Sequence, residues 1–466
     1  MKRMRWYDYV THNIYWLGLN MATGSLTPII LPFLVALFVG DAVKGTYLGA
    51  LRSAGLIVAI VVQPAAGLLS DRSRLRWGRR RPFILVGTAL DLVCLALIGL
   101  SGSYWLLFAA VLLLQFSSNV AHGALQGIIP DLVPEDQRGR ASGVKAMMEL
   151  LPIILVGFTT GPLVGAGKVW AAILVVMASL LITVLITMLA VHEEPLRETV
   201  TESLRPPLVR IALLTLVFVV VTTLFGGLVG LTGRLLRGWE TLQLVGVGLA
   251  GLVAMAGAII LGVWCSARVG IGEGAHKYPS FTWWVINRLL YLAAVGSIQG
   301  FAQYFLQDVL RVPNAPAATS SLLMVVGVFT LLSALPSGWL SDRLGRKSLL
   351  AFAGVVAAIG TFLLFFAQNM TMVTICGVII GLSAGVFLTT NWALGTDLVP
   401  SVEAGLYLGV SNLAGAGAGI VGAGIGGPMA DFFNAYQRGL GYLVIFGIYG
   451  ALFVLSSLTL LKVRME

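Results

Sequence analysis

Long apolar runs recur along the whole chain, and they constrain its fold more than any other feature. The chain has 466 residues, of which 58% are hydrophobic and only 11% are charged, whereas a soluble domain carries about 25% charged residues. Each run is roughly 20 residues long, which suits a helix that crosses an apolar layer of about 30 Å. The sequence therefore predicts an all-α polytopic membrane protein.

Fourteen such runs can be counted. An even number of crossings places both termini on one side of the membrane. In this arrangement most Lys and Arg residues fall in loops on that same side, and an excess of Lys and Arg is typical of cytoplasmic loops. We therefore expect a multi-pass protein of the cell membrane with both termini in the cytoplasm. The predicted spans are 14–39, 45–69, 83–101, 104–129, 141–165, 169–191, 208–231, 242–264, 281–309, 318–340, 348–367, 371–395, 404–428 and 440–462.

The chain has a formal net charge of +10. Basic cytoplasmic loops account for this charge, so it does not indicate nucleic-acid binding, and we expect the lipid bilayer as a partner. The sequence contains no obvious cluster of metal ligands, nucleophile motif or glycine-rich phosphate loop. We therefore expect no enzyme activity, no cofactor and no bound metal.

Two loops share the pattern Gly-x-x-Ser-Asp-Arg, one after the second span and one after the tenth. They run from Gly67 to Arg72 and from Gly338 to Arg343. Six arginines lie between positions 72 and 81. Each would cost about 2.5–3.5 kcal/mol at the bilayer centre, which holds this connector at the cytoplasmic face. An internal repeat of this kind is typical of secondary transporters.

Both loops resemble the signature between the second and third helices of the major facilitator superfamily. The first copy is the more specific, and it resembles the sucrose-transporter-like branch, which is related to the glycoside–pentoside–hexuronide cation symporters. The residues that carry this resemblance are Gln63, Pro64, Gly67, Ser70, Asp71 and Arg72, followed by Gly78, Arg79, Arg80, Arg81, Pro82, Phe83 and Ile84.

The resemblance implies the major-facilitator fold, with one six-helix half at residues 1–191 and another at 281–466. Two extra central helices, at 208–231 and 242–264, then lie in the linker 192–280, which gives about 14 transmembrane helices. The extra helices are rich in glycine, so we expect them to pack closely.

In that superfamily the first and fourth helices of each half line a central cavity, so the polar residues on the matching spans are candidates for substrate contact. Several of them recur at steps of three and four and so share one helix face. Such stripes either join helices, at about 0.6 kcal/mol per hydrogen bond, or line a polar path. Three stripes favour the path. The candidates are Trp16, Asn20, Thr23, Thr27, Gln115, Asn119, His122, Gln126, Arg288, Gln299, Gln303, Asn391 and Trp392. The aromatic rings of Trp16, Tyr291 and Trp392 either stack on a sugar ring, pack inside the protein or anchor the helices at the membrane interface.

Glu149, Asp91 and His122 are the candidates for ion coupling. Asp91 lies at a depth similar to that of Arg52 on the preceding span, and we predict a buried ion pair between them. Glu149 lies one helical turn after Lys145, and we predict a local pair there.

The fourth span differs from the sucrose-transporter-like branch at two charged positions. That branch has an aspartate where this chain has Gln115 and an arginine where it has Gln126. In the branch these charges serve proton coupling and sugar binding. The sugar, and proton or sodium coupling, therefore stay open.

The two repeated loops have a further implied role. In the family, the loop aspartate latches to the opposite half through an arginine and a helix N-terminus, where negative charge is favoured. By resemblance, Asp71 with Arg72, and Asp342 with Arg343, hold the cytoplasmic gate closed in the outward-open state.

The favoured function is a secondary active transporter, expected to be a monomer, that moves a small-molecule substrate by alternating access. The resemblance implies a sugar or glycoside, with proton or sodium symport open. One alternative is a fourteen-helix proton-coupled exporter of amphipathic compounds, which the helix count favours and the first loop opposes. Another is a non-transporting sensor or scaffold built on a carrier fold.

Overall fold

The computed structural model describes residues 4–193, 203–272, 279–398 and 404–464, and fourteen long helices account for most of these ranges. Thirteen of the described helices are long and apolar enough to cross a membrane, and α13, with 31 residues, lies at the thirteenth predicted span. The all-α prediction, with about fourteen helices, is confirmed. The helices are α1 Trp6–Val39, α2 Lys44–Asp71, α3 Arg81–Gly99, α4 Tyr104–Leu132, α5 Glu135–Gly165, α6 Val169–Ala190, α7 Arg205–Leu235, α8 Glu240–Ile271, α9 Pro279–Asp308, α10 Ala315–Leu344, α11 Arg346–Phe366, α12 Met370–Asp397, α13 Ala404–Asn434 and α14 Leu440–Lys462.

Several helix ends are set by individual side chains. Ser103 accepts a hydrogen bond from the N–H of Leu106 and begins α4, and Asn369 accepts one from Met372 and begins α12. Both are N-cap residues, which satisfy backbone donors that the first turn leaves free. Gly345 has a φ of 86°, and this left-handed residue separates α10 from α11 with a single-residue turn.

Helix α1 contains a π-helical turn. It is α-helical over Trp6–Ser25, π-helical over Leu26–Ile30 and α-helical again over Leu31–Val39. Pro28 lies in this turn and cannot donate a backbone hydrogen bond. Because a π turn inserts a residue into the helical period, Thr27 does not continue the stripe that begins at Trp16 with regular spacing.

The described helices fall into two compact units. The first comprises Met1–Leu34, Val58–Ile211 and Thr319–Met324. In it α1 packs against α5 and α6, and α3 packs against α4 and α6. Glycine permits the close approach of α3 to α4, because a Cβ at Gly87 would lie 2.7 Å from the carbonyl oxygen of Ser117.

The second unit comprises Val35–Ile57, Ala212–Ala318 and Val325–Glu466. Here α9 packs against α13 and α14, α11 packs against α12 and α14, and α8 packs against α13. Helix α9 is the most enclosed of the thirteen apolar helices, with 72% of its central window buried. The predicted division at 1–191, 192–280 and 281–466 stays a prediction, and residues 194–202 and 273–278 of that linker lie outside the described residues.

The two extra helices, α7 and α8, use their glycines in different ways. Phe218 and Phe225 of α7 lie against Gly262 and Gly257 of α8, where a Cβ would meet ring carbons at 2.7 and 2.8 Å. These contacts bring α7 and α8 close together. On α7, by contrast, a Cβ at Gly230 would have no neighbouring atom within 4 Å.

Candidate functional site

Three helices of the first unit bring a tryptophan, a histidine and a lysine together. The ring of Trp16 on α1 meets the ring of His122 on α4 edge to face, with the centroids 5.1 Å apart. The Nζ of Lys145 on α5 lies 4.2 Å from the centroid of the Trp16 ring, a cation–π distance. Lys145 also forms an ion pair with Glu149 at 3.3 Å. The predicted local pair is therefore confirmed.

The remaining polar candidates of the first unit mostly bond along their own helices. The Nδ2 of Asn119 donates to the carbonyl oxygen of Gln115 at 2.7 Å and to its side-chain Oε1 at 3.2 Å. Asn20 donates to the carbonyl oxygen of Trp16 at 2.8 Å, and the side chains of Gln126 and His122 approach to 3.4 Å. The polar side chains of these stripes are thus held in place by bonds within their own helices.

Lys145 is the residue of this cluster that the sequence did not assign to the substrate path. Its position on the fifth span lies outside the helices expected to line a cavity. The available signal was a lysine inside a predicted membrane span, since such a charge marks a functional site by default.

An arginine organises the corresponding cluster of the second unit. The guanidinium of Arg288 on α9 lies 4.4 Å from the ring centroid of Trp392 on α12, and its Nη1 donates to Oδ1 of Asn391 at 3.1 Å. Asn391 in turn donates to Oδ1 of Asn287 at 3.4 Å. Its backbone carbonyl accepts from Nε1 of Trp284 at 3.1 Å.

The charge of Arg288 is not neutralised by any carboxylate in the part of the chain that the structure describes. None of the described carboxylates forms an ion pair with Arg288, and its Nε is buried without a hydrogen-bond partner. Trp392 is 39% exposed. A membrane-buried cation without a counter-ion is costly and marks a functional site by default.

Two further candidates on α9 differ in exposure, and Tyr291 has a packing role. Gln299 is exposed, whereas Gln303 is buried and its Oε1 has no partner among the described residues. Tyr291 is fully buried, stacks on Phe387 with centroids 3.5 Å apart and shares a hydrogen bond with Ser383. The stacking alternative for Tyr291 is therefore wrong, because its ring faces are already occupied by protein.

Asp91 and Arg52 have separate partners, so the predicted ion pair between them is not observed. Asp91 is buried and accepts a hydrogen bond from Ser117 on α4. The Nη2 of Arg52 donates to the carbonyl oxygen of Gly296 on α9 at 2.9 Å. The prediction rested on the similar depth of the two residues in the membrane, but depth alone does not determine the direction in which a side chain points from its helix.

The first repeated loop contains an arginine hub. Arg80 forms ion pairs with Asp71 and, at 2.8 Å, with Asp131, and it donates to the hydroxyl of Ser70 at 2.7 Å. Asp131 also pairs with Arg79. Asp71 thus has a partner within its own loop, and Arg72 is half-buried beside it.

The second loop repeats this arrangement. Arg346 pairs with Asp397 at 2.5 Å and with Asp342 at 3.5 Å. The guanidinium of Arg343 lies 3.9 Å from the ring centroid of Trp339. A sequence signal that could have indicated both hubs is the repeated Asp-Leu-Val-Pro that begins at Asp131 and at Asp397. The gate role of these loops stays a prediction.

A third ionic cluster, in the second unit, had no sequence signal. The side chain of Lys44, at the start of α2, is fully buried and pairs with Asp308 at 2.7 Å and with Asp41 at 2.8 Å. Arg438, between α13 and α14, pairs with the same Asp308 at 2.9 Å. Asp431 on α13 accepts hydrogen bonds from two N–H groups in the first turn of α2, where the helix dipole favours a carboxylate.

Two members of this cluster lie in loops and have shifted pKa values. The hydrogen bond from Lys44 lowers the pKa of Asp41, and the hydrogen bond to Asp308 raises the pKa of Arg438. The contribution of Asp41 to stability is therefore present above the ordinary carboxyl pKa and is lost as the pH falls through its lowered value.

Comparisons with known proteins agree with this architecture. The family model described as Major Facilitator Superfamily matches residues 15–306 and 288–465. The sucrose transport protein SUT1 of Oryza sativa subsp. japonica is 33% identical over 131 residues, which are 23% of this chain and 24% of the relative. The multi-drug resistance efflux pump PmrA of Streptococcus pneumoniae serotype 4 is 28% identical over 169 residues, or 35% of this chain and 39% of the relative.

The fold is also found among solved structures. The crystal structure of the nucleoside transporter NupG covers 98% of this chain and 98% of its own, with a TM-score of 0.65 and 13% sequence identity. At that identity the likeness shows the fold alone. The curated relatives above are matched over less than half of their length.

Proposed function

Because the chain belongs to the Major Facilitator Superfamily, we propose that it is a secondary active transporter that moves a small polar solute by alternating access. The solute in this proposal is a sugar or glycoside. The protein acts as a monomer in the cell membrane, with both termini in the cytoplasm.

The observation that carries this proposal is the cluster around Arg288. A guanidinium offers several hydrogen-bond donors in one plane, and the partly exposed ring of Trp392 offers an apolar face beside it. Sugars present hydroxyl oxygens around a ring with apolar C–H faces, so the pair suits both features. Asn391 holds the guanidinium in place through its Oδ1.

The cluster of the first unit supplies the same three elements with different residues. Trp16 provides the ring, Lys145 the cation, and His122 a polar group that touches the ring. Trp16 is 3% exposed, so its ring acts mainly as a packing surface that positions Lys145. Gln126 adds a polar side chain beside His122.

Glu149 is the coupling residue we favour. It forms an ion pair with a lysine that itself contacts the tryptophan of the cluster, so a change in its charge would be felt there. Asp91 is the second candidate, since it is buried with a hydroxyl donor. Proton symport is the form of coupling that both residues would serve, and sodium is the alternative.

A second candidate function is proton-coupled export of amphipathic compounds. It is favoured by the similarity to the efflux pump, which extends over 35% of this chain. The polar clusters oppose it, because an exporter of amphipathic compounds needs a site lined mainly by apolar side chains. Counterflow of a disaccharide separates the two functions, because only the sugar carrier is expected to exchange it.

The test is counterflow of radiolabelled disaccharide in liposomes that contain the purified protein, with and without an imposed pH gradient. Counterflow needs only binding and alternating access, so it detects even an uncoupled carrier. We expect exchange, and we expect Arg288→Gln to reduce it about tenfold or more, because a hydrogen bond from a charged group contributes about 1.5–3 kcal/mol. A gradient that drives accumulation would establish proton coupling and direct attention to Glu149.

Arg210→Gln is the matched control, since Arg210 is exposed at the start of α7 and should leave counterflow unchanged. No disaccharide exchange in the unaltered protein would contradict the sugar proposal. Exchange that Arg288→Gln leaves unchanged would show that the cluster around Arg288 does not contact the solute.

A further inference from the structure

The second unit contains a cavity of about 450 Å³ that is separate from the cluster around Arg288. It lies where the end of α7, the start of α8 and the later part of α13 meet. Its volume falls in the range of about 300–1,000 Å³ that is usual for small-molecule sites. The cavity is therefore large enough for a ligand, and its lining shows what kind.

The walls are apolar. Val229 of α7, Val247 of α8 and Met429 and Phe432 of α13 all line the cavity. Space remains because α7 has glycine where larger residues would fill it. A Cβ at Gly230 would meet no atom within 4 Å.

One end of the cavity is cationic. Arg234, in the last turn of α7, and Arg237, two residues after the end of α7, both line it and are both exposed. Among the described residues no carboxylate forms an ion pair with either guanidinium. Gln243, the other long polar side chain of the lining, is already committed, because it donates to the carbonyl of Gly233 and accepts from Tyr436.

The surface around the cavity is suited to hydrocarbon. Leu228, Leu231 and Leu235 of α7 are 54%, 48% and 73% exposed, as expected for a helix face in contact with lipid chains. Pro428, which lines the cavity from α13, is also exposed. The occupant therefore reaches the cavity from the bilayer.

We propose that an anionic phospholipid binds in this cavity, with an acyl chain along the apolar walls and its phosphodiester at Arg234 and Arg237. Guanidinium groups bind phosphate through paired hydrogen bonds, and basic pockets between membrane helices take anionic headgroups. The arginines lie at and just beyond the end of a long apolar helix, which is the level at which lipid headgroups lie. The lipid would fill the gap between the extra helices and α13.

The test is native mass spectrometry of the full-length protein, purified with phosphatidylglycerol or with phosphatidylcholine at matched concentration. We expect phosphatidylglycerol to stay bound to the unaltered protein, and the double variant Arg234→Gln with Arg237→Gln to lose it by about tenfold or more, given two arginines at the headgroup level. Gly230→Leu should also abolish retention, because its side chain would fill the cavity.

Gly227→Leu is the matched control for the cavity-filling variant. Gly227 is exposed on the same helix, and a Cβ there also meets no atom within 4 Å, yet Gly227 is not part of the lining. It should retain the lipid. Arg210→Gln, at the opposite end of α7, serves as the charge control.

Three results would overturn the proposal. One is equal retention of phosphatidylcholine, and another is retention that Gly230→Leu leaves unchanged. The third is a dimer, measured by light scattering, that Gly230→Leu dissociates, since that would assign the cavity to a second copy of the chain. None of these measurements depends on transport, so they test the lipid site independently of the sugar proposal.

Discussion

The two arginine hubs of the repeated loops have the same connections but different surroundings. Arg80 joins a loop aspartate to Asp131, and Arg346 joins a loop aspartate to Asp397. The side chain of Arg80 is 6% exposed and that of Arg346 is 29% exposed. The two copies of the repeat therefore have the same ion pairs, but the arginine of the second copy is more exposed to solvent.

This difference should determine how much each hub contributes to stability. An ion pair in water contributes about 0–1 kcal/mol, whereas removal of one partner from a buried pair leaves an uncompensated charge and costs several times more. Arg80 also donates to Ser70, and its backbone N–H donates to Glu193 at 2.8 Å. The first loop is thus held around a buried arginine, whereas the second is held by the more exposed Arg346 and by Lys347, which donates to the carbonyl of Val463 at 2.7 Å.

The largest effect is expected from Arg80→Gln. This change leaves Asp131 with Arg79 alone and removes the partner of Asp71, and we expect a loss of about 3 kcal/mol in the free energy of unfolding. The measurement is thermal or denaturant unfolding of the purified protein in detergent. Arg79→Gln, which removes the more exposed partner of Asp131, is the control and should cost less. Equal losses for the two variants would mean that burial of Arg80 does not set its contribution.

A smaller effect is expected from Arg346→Gln in the second hub. Its pairs are more open to solvent, so we expect a loss of about 1 kcal/mol. The loss should shrink further at high salt, because exposed charges are screened. Unfolding measured at low and at high ionic strength tests this. A loss as large as that of Arg80→Gln, and insensitive to salt, would refute the comparison.

The smallest effect is expected at the loop aspartates themselves. The side chain of Asp342 is 68% exposed and its pair with Arg346 measures 3.5 Å, so Asp342→Asn should cost at most about 0.5 kcal/mol. Asp71→Asn should cost more, because its side chain is 47% exposed and its partner is buried.

The same pair of variants can be tested for the gate role, by labelling of a cysteine introduced at the cytoplasmic face. Unchanged labelling in Asp71→Asn would argue against the latch.

The sequence predicted the helices well because each span has to satisfy its backbone within itself and cover that backbone with apolar side chains. That requirement is local and can be read from composition along the chain. The ion pair between Lys145 and Glu149 was predictable for the same reason, since one helical turn fixes their separation.

Contacts between helices were predicted less well. The pairing of Asp91 with Arg52 was inferred from depth, yet the direction of each side chain depends on how its helix is rotated. Tyr291 was a candidate for solute stacking, and only the packing of α9 against α12 shows that Phe387 already covers it. The position of Lys145 beside Trp16 likewise depends on the packing of α1 against α5.

The arrangement around Lys44 has a consequence for the synthesis of the chain. Asp431, which accepts from the N–H of the following residue Gly45, comes 386 residues later, and Asp308 and Arg438 are also made long after α2 has left the ribosome. During that interval Lys44 is the charged end of a newly inserted helix, and Asp41, three residues before it, is already present as a counter-ion. Asp41 would therefore act first as a temporary partner that makes early membrane insertion of α2 less costly. It would become one member of a shared network when α9 brings Asp308 and the last two helices bring Asp431 and Arg438.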